Sequence, residues 1–373
     1  MNQPPSRLLL RLNAAIAGAK NQHAADCAHA ERACYLARQG DFAEASRTIA
    51  ALRKHYEPQP DAAMSAWLNL AEGLLSYFSE LGPSAYDKVL RAHALSAAAG
   101  LVPLNALAAA WLAQMSFSKH DVVQVARRAS ESLRLSHPQH HSARARASLV
   151  VAQALHGASR WDLASHWYTR ARLHATAEGD ELSISALMHN MVGMRLDNFR
   201  QTVLTGRGDP REAELSLVGL DSSANFDLLV GTSTLEPLRP MLRARYLSLQ
   251  QRTAEALQIY DEHFPGAVSS EVARMASDVL SDMAWCRLKQ GDAKRARSEA
   301  IAAEQTLTAQ TQIDERAATH TRLANIYREL GELAEASRHA QLADAAWQDF
   351  ESLQRRFVDL LGTMTESGIT SAA

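Results

Sequence analysis

The residues that carry out catalysis in well-known enzymes do not occur in this sequence at catalytic spacings. It has no phosphate-binding glycine-rich loop, no dinucleotide-binding fingerprint, no HExxH pair and no GxSxG nucleophile motif. Ser116 and Lys119 match the SxxK spacing of serine acyl-transfer enzymes, but the companion motifs of those enzymes are missing. We therefore expect no enzymatic activity and no cofactor.

Fifteen histidines are present, and the densest group of them lies between two predicted helices. His137, His140 and His141 surround Pro138 there. A zinc site needs converging ligands, commonly with a thiolate or carboxylate among them, and no such partner is evident. We expect exposed loop histidines and no metal.

Composition narrows the function classes further. The net charge is −2, with acids and bases mixed along the chain, whereas a nucleic-acid-binding surface leaves a basic footprint. No apolar run approaches the roughly 20 residues needed to cross a bilayer. Three cysteines are too few for a disulfide framework, which predicts reduced thiols in a cytoplasmic compartment. We expect neither nucleic acid nor a membrane as a partner.

The clearest structural element is the stretch from Leu323 to Ala343. Leu323, Tyr327 and Leu330 recur at helical spacing and form one apolar stripe. Gly331 can adopt the left-handed conformation that ends a helix, and alanines before and after it allow two helices to approach closely. The pattern predicts a helical hairpin that cannot bury its own apolar faces and therefore needs neighbouring hairpins.

Looser copies of this hairpin extend through the chain. Turn signals near residues 40, 82, 120, 160, 206, 251, 291 and 331 recur about every 40 residues. They predict an all-α domain of about eight hairpins over residues 14–362, between a flexible arm (1–13) and a flexible tail (363–373). The fifth hairpin (180–236) is the irregular one, since glycines and serines interrupt its second helix and a mobile loop is expected at 231–236.

This arrangement resembles the long variety of the tetratricopeptide repeat (TPR), and the helical sensor halves of some bacterial transcription activators and signalling regulators look similar. The resemblance implies an α-solenoid, a right-handed superhelix whose concave groove is lined by the first helix of each hairpin. It also implies that the residue after the small alanine of that helix points into the groove. With two arginines that flank Asn325 and could hold a carboxylate, the expected groove residues are Gln114, Gln153, Asn190, Arg245, Trp285, Arg322, Asn325 and Arg328.

The last helix, predicted at 332–362, is longer than the repeat requires. Phe350, Leu353, Phe357 and Leu360 follow heptad spacing. One interpretation is a capping helix that folds this seam against the previous hairpin, as the end of a solenoid requires. The other is a docking or dimerisation helix that makes the chain a homodimer.

The functional expectation follows from the predicted groove. We expect a non-catalytic scaffold or signalling regulator that binds a partner protein, as a peptide or a helix, in the concave groove. The alternative is a ligand-responsive sensor, in which a small molecule or signalling peptide binds near the irregular fifth hairpin.

Overall fold

The computed structural model describes residues 6–79, 84–206, 210–230, 238–265, 275–309 and 311–365. Within these ranges the chain forms seventeen α-helices and no strand, which confirms the all-α prediction. The helices are α1 Arg7–Ala17, α2 Gln22–Gln39, α3 Phe42–Tyr56, α4 Ala62–Ser79, α5 Ser84–Ala98, α6 Val102–Phe117, α7 Val122–Leu135, α8 His141–Gly157, α9 Trp161–Glu178, α10 Glu181–Leu204, α11 Pro210–Val230, α12 Leu238–Leu249, α13 Thr253–His263, α14 Ala276–Lys289, α15 Ala293–Thr306, α16 Ile313–Glu329 and α17 Leu333–Leu361. No helix in these ranges combines the length and the apolar character that crossing a membrane requires.

From α2 onwards the helices pack in series, as eight successive pairs. The first helix of each pair contacts its own partner, the first helix of the next pair, and the second helix of the preceding pair. Each hairpin therefore covers the apolar face of its neighbour. This is the stacking that the apolar stripes predicted, because no single pair buries them alone.

The turns inside the hairpins use the left-handed backbone conformation. Gly331 has φ 79°, and glycines 40, 206 and 291 have φ between 77° and 90°. His120, Ser159 and Gln251 adopt the same region at φ 55–58°, where side-chain residues are uncommon. The predicted turns are thus confirmed where the chain is described, and the one predicted at residue 82 lies outside the described residues.

Small residues lie where the helices cross. Alanine has almost no side chain beyond Cβ, so an alanine at a crossing lets two helical backbones approach. Those at the predicted crossings are buried, including Ala33, Ala45, Ala152, Ala164, Ala244, Ala256, Ala284, Ala296, Ala324, Ala336 and Ala343.

The N-terminal arm differs from the prediction, because residues 7–13 belong to helix α1. Leu8 and Leu12 are buried against α2 and its neighbours. The Leu8 amide donates to the Gly179 carbonyl oxygen at 2.9 Å, and the Arg7 guanidinium pairs with Glu181 at 2.8 Å. Burial of one apolar face and anchoring at both polar contacts order this segment.

The fifth hairpin is also more regular than predicted. Helix α11 runs without a break from Pro210 to Val230. Gly219 sits where a Cβ atom would lie 2.8 Å from Cγ2 of Val192, so the glycine allows close packing of α11 on α10. The expected mobile loop at 231–236 lies outside the described residues, as does the tail from residue 366 onwards.

Candidate ligand site

The C-terminal helix α17 packs against interior helices as well as against its own partner α16. It contacts α7 and α8, and Leu353, Phe357, Leu361 and Met364 are buried in one apolar cluster with residues of α6 to α9. The rings of Phe117 and Phe357 lie 6.0 Å apart. The predicted seam therefore packs within the chain, although against more distant hairpins than a simple cap would reach.

Of the four predicted seam residues, Leu353 and Phe357 are buried in this chain and Phe350 is half-buried. Leu360 remains 38% exposed. While α17 stays docked, the two buried side chains are not accessible to a second copy. A homodimer through this helix remains a prediction.

Between α17 and the first helices α6, α8 and α10 lies a cavity of about 210 Å³. Its wall combines amide side chains, aromatic rings and one ionic corner. The residues that line it include Gln114, Gln153, Asn190, Tyr77, Phe117, Trp347, Phe350, Phe357, His120, Asp197, Arg200 and Asp314.

Three predicted groove residues share this cavity wall. Gln114, Gln153 and Asn190 come from α6, α8 and α10, and each lines the cavity. Gln114 is 9% and Gln153 is 4% exposed, and the Oε1 atom of each has no hydrogen-bond partner. A buried acceptor without a donor is rare in native proteins and costs about 1–3 kcal/mol. These two oxygens therefore mark a place where a ligand or ordered water completes the hydrogen bonding.

The ionic corner is built from helices that are far apart in sequence. Arg200 Nη1 lies 2.6 Å from Asp278 Oδ1, and Arg200 Nη2 lies 3.4 Å from Asp314 Oδ2. Arg245 Nη1 lies 2.9 Å from Asp197 Oδ1, and its other terminal nitrogen also pairs with Asp278. Helices α10, α12, α14 and α16 are thereby joined at one buried point.

Acids outnumber bases in this corner. Glu315 interacts with Asp314 and Asp278, so together with Asp197 four carboxylates act on the guanidinium group of Arg200. Burial, reinforced by Asp314 and Asp278, raises the pKa of Glu315 to about 8. Burial also raises the pKa of Asp197. Part of the excess negative charge is therefore neutralised by bound protons near neutral pH.

The other predicted groove residues do not line the cavity. Arg245 is buried between its two aspartates, and Arg322 Nε pairs with Asp282 Oδ1 at 2.8 Å beneath the ring of Trp285. Arg328 is exposed and donates to the side-chain oxygen of Asn325 at 2.8 Å. Arg322 and Arg328 therefore do not converge on a common carboxylate, because Arg322 is already paired with an acid of the chain itself.

Asp197, Arg200, Asp278 and Asp314 were not predicted from the sequence as residues of the site. Asp197 and Arg200 are one turn apart on α10, while their partners Asp278 and Asp314 follow some eighty and more than a hundred residues later. Charged residues on the predicted inner face of consecutive first helices were the available signal. Their pairing depends on how the hairpins stack, which local spacing does not reveal.

The histidine group expected in a loop is divided in the structure. His137 is exposed, whereas Nδ1 of the half-buried His141 lies 3.0 Å from Nδ1 of His174. Among the described residues, no group of three or more histidine, cysteine or acidic side chains is arranged to hold a metal ion. Cys27, Cys34 and Cys286 are all free thiols.

Comparison with known proteins gives no relative on which to base an assignment. No protein-family model matches this sequence, and no curated protein matches it.

Proposed function

We propose that this protein is a non-catalytic, ligand-responsive regulatory module built as a right-handed superhelix of TPR-like hairpins. The serial packing from α2 to α17 and the recurrence of left-handed turns support the architecture. The cavity is the binding site, and α17 covers it.

The observation that carries this proposal is the partly open cavity with two unsatisfied glutamine oxygens. Convergent polar groups beside aromatic and apolar side chains are typical of small-molecule sites. Helix α10, the first helix of the fifth hairpin, forms part of the wall, which supports the alternative of a sensor that binds a ligand near that hairpin. A ligand in the cavity contacts both α17 and the inner helices. Ligand binding therefore stabilises the docked position of α17.

The test is a thermal-shift screen of the full-length chain against small polar metabolites. A ligand at one hundred times its Kd stabilises the folded state by about 2.7 kcal/mol, so a cognate compound raises Tm by several degrees. Gln153→Met should reduce this shift, whereas the exposed Gln348→Met on α17 should retain it. Absence of any stabilising compound of suitable size argues against the proposal.

A protein-binding scaffold is the second candidate, and the packing of α17 favours it. Its buried apolar seam shows that the surface of α7 and α8 accepts an amphipathic helix. A partner helix that competes for this surface should bind more tightly when Phe357→Ala weakens the internal helix. Equal capture of a purified partner by the wild type and this variant would count against competition at this surface.

A further inference from the structure

Three acceptor atoms around the cavity lack donors. Oε1 of Gln114, Oε1 of Gln153 and Oδ1 of Asp314 are all buried without a hydrogen-bond partner, and all three residues line the same space. They come from α6, α8 and α16, three helices that meet around this cavity. A ligand that satisfies them must bring several N–H or O–H groups.

The charge of the ionic corner favours a ligand whose hydrogen-bond donors carry a positive charge. Arg200 lines the cavity, and its positive charge is shared by Asp278, Asp197 and Asp314. Its Nε and Nη1 atoms have no hydrogen-bond acceptor in suitable geometry. His120 also lines the wall, and burial lowers its pKa, so it adds no positive charge at neutral pH. A cation placed beside Asp314 would be attracted by the unbalanced carboxylates, whereas an anion would be repelled.

Aromatic rings provide a further part of the surface. Tyr77, Phe117, Trp347, Phe350 and Phe357 surround the space. Aromatic faces attract cations, and planar guanidinium groups also stack on them. At about 210 Å³ the cavity holds far more than one water, which occupies about 30 Å³ in the liquid. It is nevertheless smaller than the roughly 300–1,000 Å³ of drug-sized pockets.

The geometry points to a small, planar organic cation, an amidinium or guanidinium compound with a short apolar body, as the ligand of this cavity. This inference rests on the proposed function and specifies its ligand. The planar head donates to Gln114, Gln153 and Asp314, and the apolar body lies among the aromatic rings.

The experiment is isothermal titration of the full-length chain with two sets of compounds matched in shape. One set is benzamidine, benzamide and benzoate, and the other is n-butylguanidine, n-butylurea and pentanoate. In each set the members carry charges of about +1, 0 and −1 at neutral pH. We expect the cation to bind at least about tenfold more tightly than its neutral counterpart, consistent with a charge-assisted hydrogen bond, and the anion to show no binding.

Two variants locate the binding. Gln153→Met removes one acceptor at nearly constant volume, and Asp314→Asn removes the negative charge and replaces one carboxylate oxygen by an NH2 group. Each should weaken binding of the preferred cation about tenfold or more. The matched controls Gln348→Met and Asp349→Asn lie on the exposed face of α17 and should leave the affinity unchanged.

The outcomes separate this inference from the proposed function. If a neutral or anionic member binds at least as well as the cation and Gln153→Met abolishes that binding, the cavity is a ligand site but the ligand is not a cation. If cation binding is unaffected by both variants, the cation binds elsewhere and the inference is overturned. If neither set nor the metabolite screen yields a ligand, the proposed function fails with it.

Discussion

At the level of single residues, buried ion pairs determine which charged side chains can contact a partner. Arg245 matched the expected groove position, yet both of its terminal nitrogens are used by Asp197 and Asp278. The position of a residue within a repeat predicts which face of the helix it occupies. It does not predict that an acidic side chain of the next hairpin forms an ion pair with it. Gln114, Gln153 and Asn190, which were predicted to line a groove, line the cavity.

Charge reversal separates a buried arginine from an exposed one. From the groove hypothesis, Arg245→Glu and Arg328→Glu should both weaken partner binding and leave the fold intact. The structure changes this expectation for Arg245, because a glutamate there would face two buried aspartates. Breaking a buried pair costs about 3–5 kcal/mol, and added repulsion increases the loss.

We expect Arg245→Glu to be largely unfolded or strongly destabilised in urea denaturation followed by circular dichroism. Arg328→Glu, whose side chain is exposed, should stay within about 1 kcal/mol of the wild type. Similar midpoints for the two variants would show that the buried cluster does not have the ionic structure described.

Glu315 gives the ionic corner a defined pH dependence. Burial, with Asp314 and Asp278, raises its pKa from 4.5 to about 8, so the folded chain holds a proton that the unfolded chain releases. The associated stability is fully present below pH 4.5 and is lost as the pH rises through about 8.

Replacing this carboxyl group by a neutral amide should remove that loss. The free energy of unfolding in urea should therefore increase for Glu315→Gln relative to the wild type as the pH rises from 5 to 9. Glu262→Gln, at an exposed acid on α13, should keep a constant difference over the same range. A constant difference for Glu315→Gln as well would mean that Glu315 is ionised throughout.

At the level of elements, the hairpins were predictable because their signals are local. Glycine at a helix end, aspartate at the following start, and alanine at a crossing all act within one or two turns of helix. Helix α1 was missed because Arg11 interrupts its apolar run, although Leu8 and Leu12 keep helical spacing. Its order depends on a docking position near Gly179, which lies outside any local window.

The last helix illustrates the same limit. Heptad spacing predicted an apolar seam on α17 but left its partner open. The structure places the C-terminal half of that seam on α7 and α8, and Gln354 Nε2 donates to the Gly157 carbonyl oxygen at 2.8 Å. Sequence spacing cannot identify this partner because the contact joins hairpins that are not neighbours in the chain.

Phe357 should therefore control the docking of α17. Phe357→Ala removes a buried ring that packs near Phe117, a change that typically costs about 3–5 kcal/mol. We expect faster amide hydrogen exchange over residues 345–361, with little change in α2 to α4. Leu360→Ala, at the partly exposed position beside it, should alter exchange much less. Equal effects of the two substitutions would contradict the assigned face of the helix.

At the level of the whole molecule, both ends of the described part of the chain contact its middle. Ser6 Oγ donates to Glu181 Oε2 at 2.7 Å, and Ser130 Oγ lies 4.0 Å from the sulfur of Met364. Gly179 makes the first of these contacts possible, since a Cβ atom there would lie 2.8 Å from Cβ of Arg7 and its φ is 73°. In an open solenoid each repeat touches only its neighbours and the ends can unfold first. Here the returning contacts couple distant hairpins.

Arg38 tests this coupling, because it joins the end of α2 to the start of α10. Its Nη2 lies 2.8 Å from Asp180 Oδ2 and 2.9 Å from Ser183 Oγ, and both Arg38 and Asp180 are largely buried. Arg38→Leu leaves Asp180 buried without its cation, which typically costs about 3–5 kcal/mol. Because the first and fifth hairpins share this contact, we expect the whole chain to unfold in one transition at lower urea concentration.

The measurement compares tryptophan fluorescence with far-ultraviolet circular dichroism, and coincident curves indicate a single transition. The exposed pair of Arg47 and Glu44 supplies the control, and Arg47→Leu should change stability by less than about 1 kcal/mol. Two separate transitions in Arg38→Leu, with only the first hairpins lost early, would show that the returning contacts do not couple the ends to the middle. Since the proposed ligand cavity lies between those same middle hairpins and α17, the coupling also provides a physical route from ligand binding to the ends of the molecule.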